Sequence, residues 1–158
     1  MAFRDHLAVL IATWGGIGRS PVAPGTMGSL AAMPLAIALQ YAGVGWHVVG
    51  LVVVTLVGWW AAEQVCQQSG EKDPSRIVVD EVAGVVLTLL ALPAEWRWWL
   101  AGLLLFRVLD ISKPWLVGWC DRRLEGGTGV MADDLVAALG ANLLLHGLQW
   151  VLPCSCRV

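Results

Sequence analysis

Long apolar runs alternate with short polar clusters along this chain, and the runs set the expected architecture. Apolar segments occupy residues 30–42, 46–66, 77–92, 98–116 and 135–152. No Asp, Glu, Lys or Arg falls between Arg19 and Glu63, or between Asp134 and Arg157. Each gap can hold a membrane span of about 20 residues. The second and fifth segments have spanning length by themselves. The third and fourth reach it only if their ionisable residues are counted inside, and the first is short and holds Pro34, which predicts a kink or partial insertion. The expected fold is therefore all-α: a polytopic membrane helix bundle of about five membrane-associated helices, forming one domain over residues 1–158. A short interfacial helix is expected before it, with Phe3, Leu7, Leu10 and Trp14 on one side and Arg4, Asp5 and His6 near its start. Gly43-Val44-Gly45 suits a tight helical hairpin, residues 67–76 read as a polar loop, Pro93 closes the third segment, and residues 121–129 read as a flexible connection.

Composition strengthens this picture. The 158 residues are 58% hydrophobic and only 14% charged, with a mean hydropathy of +0.69, outside the ordinary soluble range. The net charge of −2 says little, because its distribution matters more in such a chain, and no nucleic-acid partner is expected. The start of the chain carries no cleavable signal pattern. Cys66, Cys120, Cys154 and Cys156 form no CxxC and have no His at ligand spacing, so zinc is not expected. If the segments alternate, Arg4, Arg19, Lys72, Arg76, Lys113, Arg122 and Arg123 share one side and only Arg97 and Arg157 the other, which makes the richer side cytoplasmic. Trp46, Trp96, Trp98, Trp99 and Trp150 then mark the outer interface, and Trp14, Trp115 and Trp119 the inner one. Trp59 and Trp60 fit neither belt.

Four polar clusters converge on the cytoplasmic side of that frame. Two adjacent carboxylates, Asp80 and Glu81, head the third segment, where unpaired charge is costly in hydrocarbon and marks a functional site. Gly84 shares a helical face with Asp80 and leaves room for a helix or ligand to approach it. An all-oxygen set of this kind suits Mg²⁺, although a buried acid paired with Arg107 would explain it too. Arg107, Asp110 and Lys113 recur every three residues as one polar stripe. The two cations can hold phosphate, while Asp110 is either a metal ligand or the partner that fixes them. Asp133 and Asp134 open the fifth segment, where one suits a helix start and the other a metal. Finally, Gly25, Thr26, Gly28 and Ser29 lie in a loop punctuated by Pro21 and Pro24. Ser29 is expected to cap a helix starting at Leu30, and the backbone N–H groups and hydroxyls there offer a phosphate site. The alternative is a simple cap and turn. His6, His47 and His146 are scattered, so a phosphohistidine mechanism lacks its nucleophile.

The strings PVAPGTMGSLAAMPL, DPSRIVVDEVAG, FRVLDISKPW and GTGVMADD, in this order, resemble the phosphatidylglycerophosphatase A family over roughly residues 14–150. Leu116, and Ala138 with Leu139, depart from the expected pattern at positions that bear on helix packing. The resemblance implies a Mg²⁺-dependent enzyme of the bacterial inner membrane that removes the terminal phosphate of phosphatidylglycerophosphate to give phosphatidylglycerol. It carries the polar motif positions onto Thr26, Ser29, Asp80, Glu81, Arg107, Asp110, Lys113, Asp133 and Asp134. Two other readings stay open: a lipid phosphotransferase with an alcohol acceptor, whose spaced acidic pattern is absent, and a small cation or proton transporter. The latter predicts polar residues through the whole membrane depth, whereas the outer halves of the segments are nearly all Leu, Val, Ala and Trp.

Overall fold

Pro24 and Gly43 bracket the first long helix, and each does so for a backbone reason. Helix α2 (Pro24–Ala42) opens on a proline whose fixed φ suits the first helical position. Gly43, at φ 97°, lets the chain reverse directly into α3 (Val44–Ser69). The computed structural model describes residues 3–151. Leu152, Cys154, Cys156 and Arg157, and the side chains of Phe3, Asp121 and Arg122, lie outside the described residues. The remaining elements are α1 (Phe3–Ala12), a 3-10 turn at Ile17–Arg19, α4 (Val79–Thr88), α5 (Trp96–Ser112), α6 (Trp115–Arg123) and α7 (Gly126–Val151). The described residues hold seven α-helices and no strand. Two of the helices, α3 and α7, each 26 residues, are long and apolar enough to cross a membrane.

Helix α4 lies inside the bundle, against α2, α3, α5 and α7. Val79, Val82, Ala83, Val85, Val86 and the following Leu89 are all buried. At ten residues it is about 15 Å long, so the third apolar segment is helical over only part of its length. Beyond Thr88 the chain turns, with Ala91 at φ 57°. The carbonyls left open there are taken by side chains from three other helices. Gln40 Nε2 donates to Leu89 O and Leu92 O at 2.8 and 3.2 Å. Asn142 Nδ2 donates to Thr88 O and Leu90 O at 3.0 and 2.9 Å. His47 Nε2 lies 2.8 Å from Val86 O, and His146 Nε2 lies 3.2 Å from Leu90 O. A carbonyl only accepts, so both rings donate through Nε2. The segment ends that the sequence reading placed outside are therefore less uniformly apolar than expected, and their polar groups are bonded to backbone carbonyls.

Three further boundaries differ from the sequence expectation. Ser29 does not cap a helix at Leu30: α2 begins a turn and a half earlier, and Ser29 sits within it, fully buried, donating to Gly25 O at 2.9 Å. The fourth segment does not run through to Leu116. Lys113, at φ 43°, closes α5, and Pro114 precedes the separate helix α6. Residues 121–129 are not a flexible connection, because only Leu124 and Glu125 separate α6 from α7. The glycines instead pack α7 tightly onto its neighbours. A Cβ at Gly127 would meet Trp59 O at 2.7 Å, and one at Gly129 would meet Leu124 O at 2.7 Å. Trp59 gains a role the belts did not give it, donating from Nε1 to Thr128 Oγ1 at 3.0 Å.

Candidate active site

Four helices bring their polar groups to one end of the bundle. Asp80 and Glu81 lie in the first turn of α4, Arg107 and Asp110 near the end of α5, Lys113 just past it, and Asp133 and Asp134 in the third turn of α7. With Gly25 and Thr26 from α2 they line one cavity of about 390 Å³. Asp73 and Ser75, on the loop before α4, line it too. Neither stood out in the sequence, although both lie in the DPSR string just ahead of the paired acids. Gly28 and Ser29 do not reach the cavity lining: Gly28 packs on Val78, and the Ser29 hydroxyl turns back into its own helix.

The ion pairs sort these residues into partners. Arg107 Nη1 donates to Asp110 Oδ2 at 2.5 Å and stands 3.7 Å from Glu81 Oε1. Lys113 Nζ donates to Asp133 Oδ2 at 2.9 Å. Asp110 therefore holds the guanidinium, and the pairing of Asp80 with Arg107 that the sequence left open is not the arrangement found. Gly25 explains itself here: a Cβ would fall against the Glu81 carboxylate and 3.2 Å from Arg107 Nη2. Gly84 does open a close approach, but to a helix, since the Phe106 ring of α5 occupies the space over it.

What remains is an excess of buried negative charge. Carboxylate oxygens of Asp80, Glu81 and Asp134 lie within 4.8 Å of one another. Asp80 Oδ1, Glu81 Oε2 and Asp134 Oδ2 are buried without any hydrogen-bond donor. Leaving such atoms unsatisfied costs several kcal/mol, more when charged. The cavity lining carries Asp73, Asp80, Glu81, Asp110, Asp133 and Asp134 against Arg107 and Lys113. An oxygen-only cluster with this deficit fits a hard divalent cation, and Asp133, tied to Lys113, stands beside it. Arg107 Nε is also buried and unpartnered, a donor beside the acids.

Fold and site together define a helical-bundle protein with a carboxylate cluster that could hold a cation and a guanidinium beside it at one end. The sequence profile of phosphatidylglycerophosphatase A matches residues 10–149, and the chain belongs to that family. It is 40% identical over 148 residues to phosphatidylglycerophosphatase A of Escherichia coli (90% of this chain, 85% of the relative). It is 38% identical over 146 residues to the protein of that name from Haemophilus influenzae (90% of each). It is also 43% identical over 159 residues to a Bacteroides thetaiotaomicron protein provisionally named a phosphatidylinositol-3-phosphatase (94% of this chain, 97% of the relative). No solved structure matches the chain significantly.

Proposed function

We propose that this protein hydrolyses the terminal phosphate monoester of phosphatidylglycerophosphate, giving phosphatidylglycerol and inorganic phosphate. The observation that carries the reading is the Asp80–Glu81–Asp134 cluster beside Arg107 in one cavity, in a chain of this family. The whole chain acts as one membrane-embedded domain. Asp80, Glu81 and Asp134 hold Mg²⁺, with Asp133 contributing from beside Lys113. When bound, that cation supplies the positive charge that polarises a phosphoryl group.

The chain's own residues do the rest. Arg107, fixed by Asp110 and Glu81, presents Nε–H to a phosphate oxygen, and Lys113 adds a second positive charge opposite. Gly25 and Thr26 border the entry, where backbone N–H groups of the first turn of α2 face the head group. A cavity carboxylate oxygen not engaged by the cation would take the proton of the attacking water as the new P–O bond forms and return it to the departing glycerol oxygen as the old P–O bond breaks.

The membrane frame is part of the same proposal. Helices α2, α3, α5 and α7 cross the bilayer, and α4 with its following turn makes the fifth passage inside them. Support comes from α3, which exposes Val48, Val49, Val52, Val53, Leu56 and Val57, whereas a soluble core helix would bury them. The polar end faces the cytoplasm, where Arg19, Lys72, Arg76 and Lys113 gather.

The test is phosphate release by purified protein from phosphatidylglycerophosphate and from a phosphatidylinositol phosphate. Release from the first, abolished by a divalent chelator and restored by Mg²⁺, is expected. Preference for the inositol lipid, which the Bacteroides relative's name suggests, would overturn the substrate. Activity that survives the chelator would overturn the cation.

A further inference from the structure

We propose that Gln40 and Asn142, far from the cavity, are positioning residues that set the register of α4 against α7 and thereby the spacing of the acidic cluster. The inference rests on the proposed cation site. Its starting point is that α4 is held by apolar side chains along its length, and apolar packing is non-directional. Valine and alanine surfaces fill space without choosing one axial position sharply. Hydrogen bonds do choose one, because their geometry fails within a few tenths of an ångström.

Both amide nitrogens are used to capacity. Asn142 gives both amide hydrogens to Thr88 O and Leu90 O. Gln40 gives both to Leu89 O and Leu92 O, while its Oε1 accepts from Trp99 Nε1 at 2.7 Å, which fixes the amide's orientation. Two forks thus grip the open carbonyl end of α4 from α2 and from α7. Leu89 O also accepts from Leu92 N–H at 3.3 Å and Leu90 O from His146, so the amides complete a set of donors at a helix end that its own backbone leaves partly open.

The consequence appears about 14 Å away along the helix axis. Asp80 and Glu81 begin α4, and its other end is where the forks close. Asn142 lies on the helix that carries Asp134, eight residues further along, or about 12 Å. A slip of α4 along α7 would therefore separate Asp80 and Glu81 from Asp134 by the same amount. The oxygens now lie within 4.8 Å, and an ångström of slip would spoil a set that must converge on one small cation.

The experiment uses the full chain in detergent, with Mn²⁺ alone as the probe, its binding read by the electron paramagnetic resonance of the free ion. Thermal unfolding in chelator and phosphate release are measured beside it. Gln40→Leu and Asn142→Leu are expected to weaken Mn²⁺ binding at least tenfold. They should lower kcat similarly and leave KM for the lipid within about threefold. Asn142→Gln, which keeps the amide but displaces it by one methylene, should weaken binding with little change in unfolding temperature. The lipid-facing control Leu143→Ala should change nothing. Folded variants that bind Mn²⁺ as the unaltered protein does would overturn the proposal. So would failure of all three variants to fold, which would make the forks purely structural. An unaltered protein that binds no Mn²⁺ would instead remove the cation reading beneath it, a failure distinct from either.

Discussion

Lys113 ties two helices together at the active site: its ammonium lies 2.9 Å from Asp133 Oδ2, bridging the end of α5 to the third turn of α7. The residue is held in the left-handed region at φ 43°, an unfavourable place for a side chain with a Cβ. Glycine would suit that backbone better, so the amine is what the position keeps.

Lys113→Gly should separate the two effects. The backbone relaxes, yet the buried Asp133 carboxylate loses its partner. Lys113 is about one-third exposed, so the expected loss is about 1–3 kcal/mol, between surface and buried pairs. Phosphate release should fall at least tenfold. Adding Asp133→Asn should return much of the stability in thermal unfolding but not the activity. Full activity of the single variant would remove Lys113 from the site.

Asp80→Asn should give a protein at least as stable as the original when measured in chelator. Three carboxylates crowd within 4.8 Å, and Asp80 has an oxygen that no donor reaches. Removing one charge relieves repulsion and desolvation together. Activity should fall by about 100-fold or more, and the stabilisation that Mg²⁺ gives the original should disappear. An unstable but active variant would make Asp80 a structural acid.

Gly25→Ala probes the seam between α2 and the ion pair. Its new Cβ would push on the Glu81 carboxylate and on Arg107 Nη2. A folded protein with several-fold weaker phosphate release is expected, and Arg107→Lys should lose more because an ammonium cannot bridge Asp110 and Glu81 while also donating to phosphate. Unchanged kinetics in both variants would place the substrate elsewhere.

Orientation is open to cysteine labelling in intact cells, in a background without native cysteines. Glu71, on the α3–α4 loop, and Ala94, before α5, are exposed at opposite ends of the bundle. A cysteine at 94 should react with an impermeant maleimide, and one at 71 should react only after lysis. The reverse pattern would invert the membrane frame and put the acidic cavity outside.

Much of this protein is written locally. Apolar length marks α3 and α7, because hydrocarbon thickness sets the run that can cross it. Charges stranded in apolar segments mark Asp80, Arg107, Asp110, Asp133 and Asp134, because nothing but function or pairing offsets their cost there. Other features depend on partners that lie far away in the chain. Arg107 could have paired with Asp80; its bond to Asp110 is local, three residues on along α5, and only the packing of α5 on α4 brings it to Glu81. The glycines at 126 and 127 resemble a loop until α3 is placed against them. Gln40, His47, Asn142 and His146 look like stray polar residues. Their carbonyl partners exist only because α4 stops halfway inside the bundle, and where a helix stops among other helices is settled by tertiary packing.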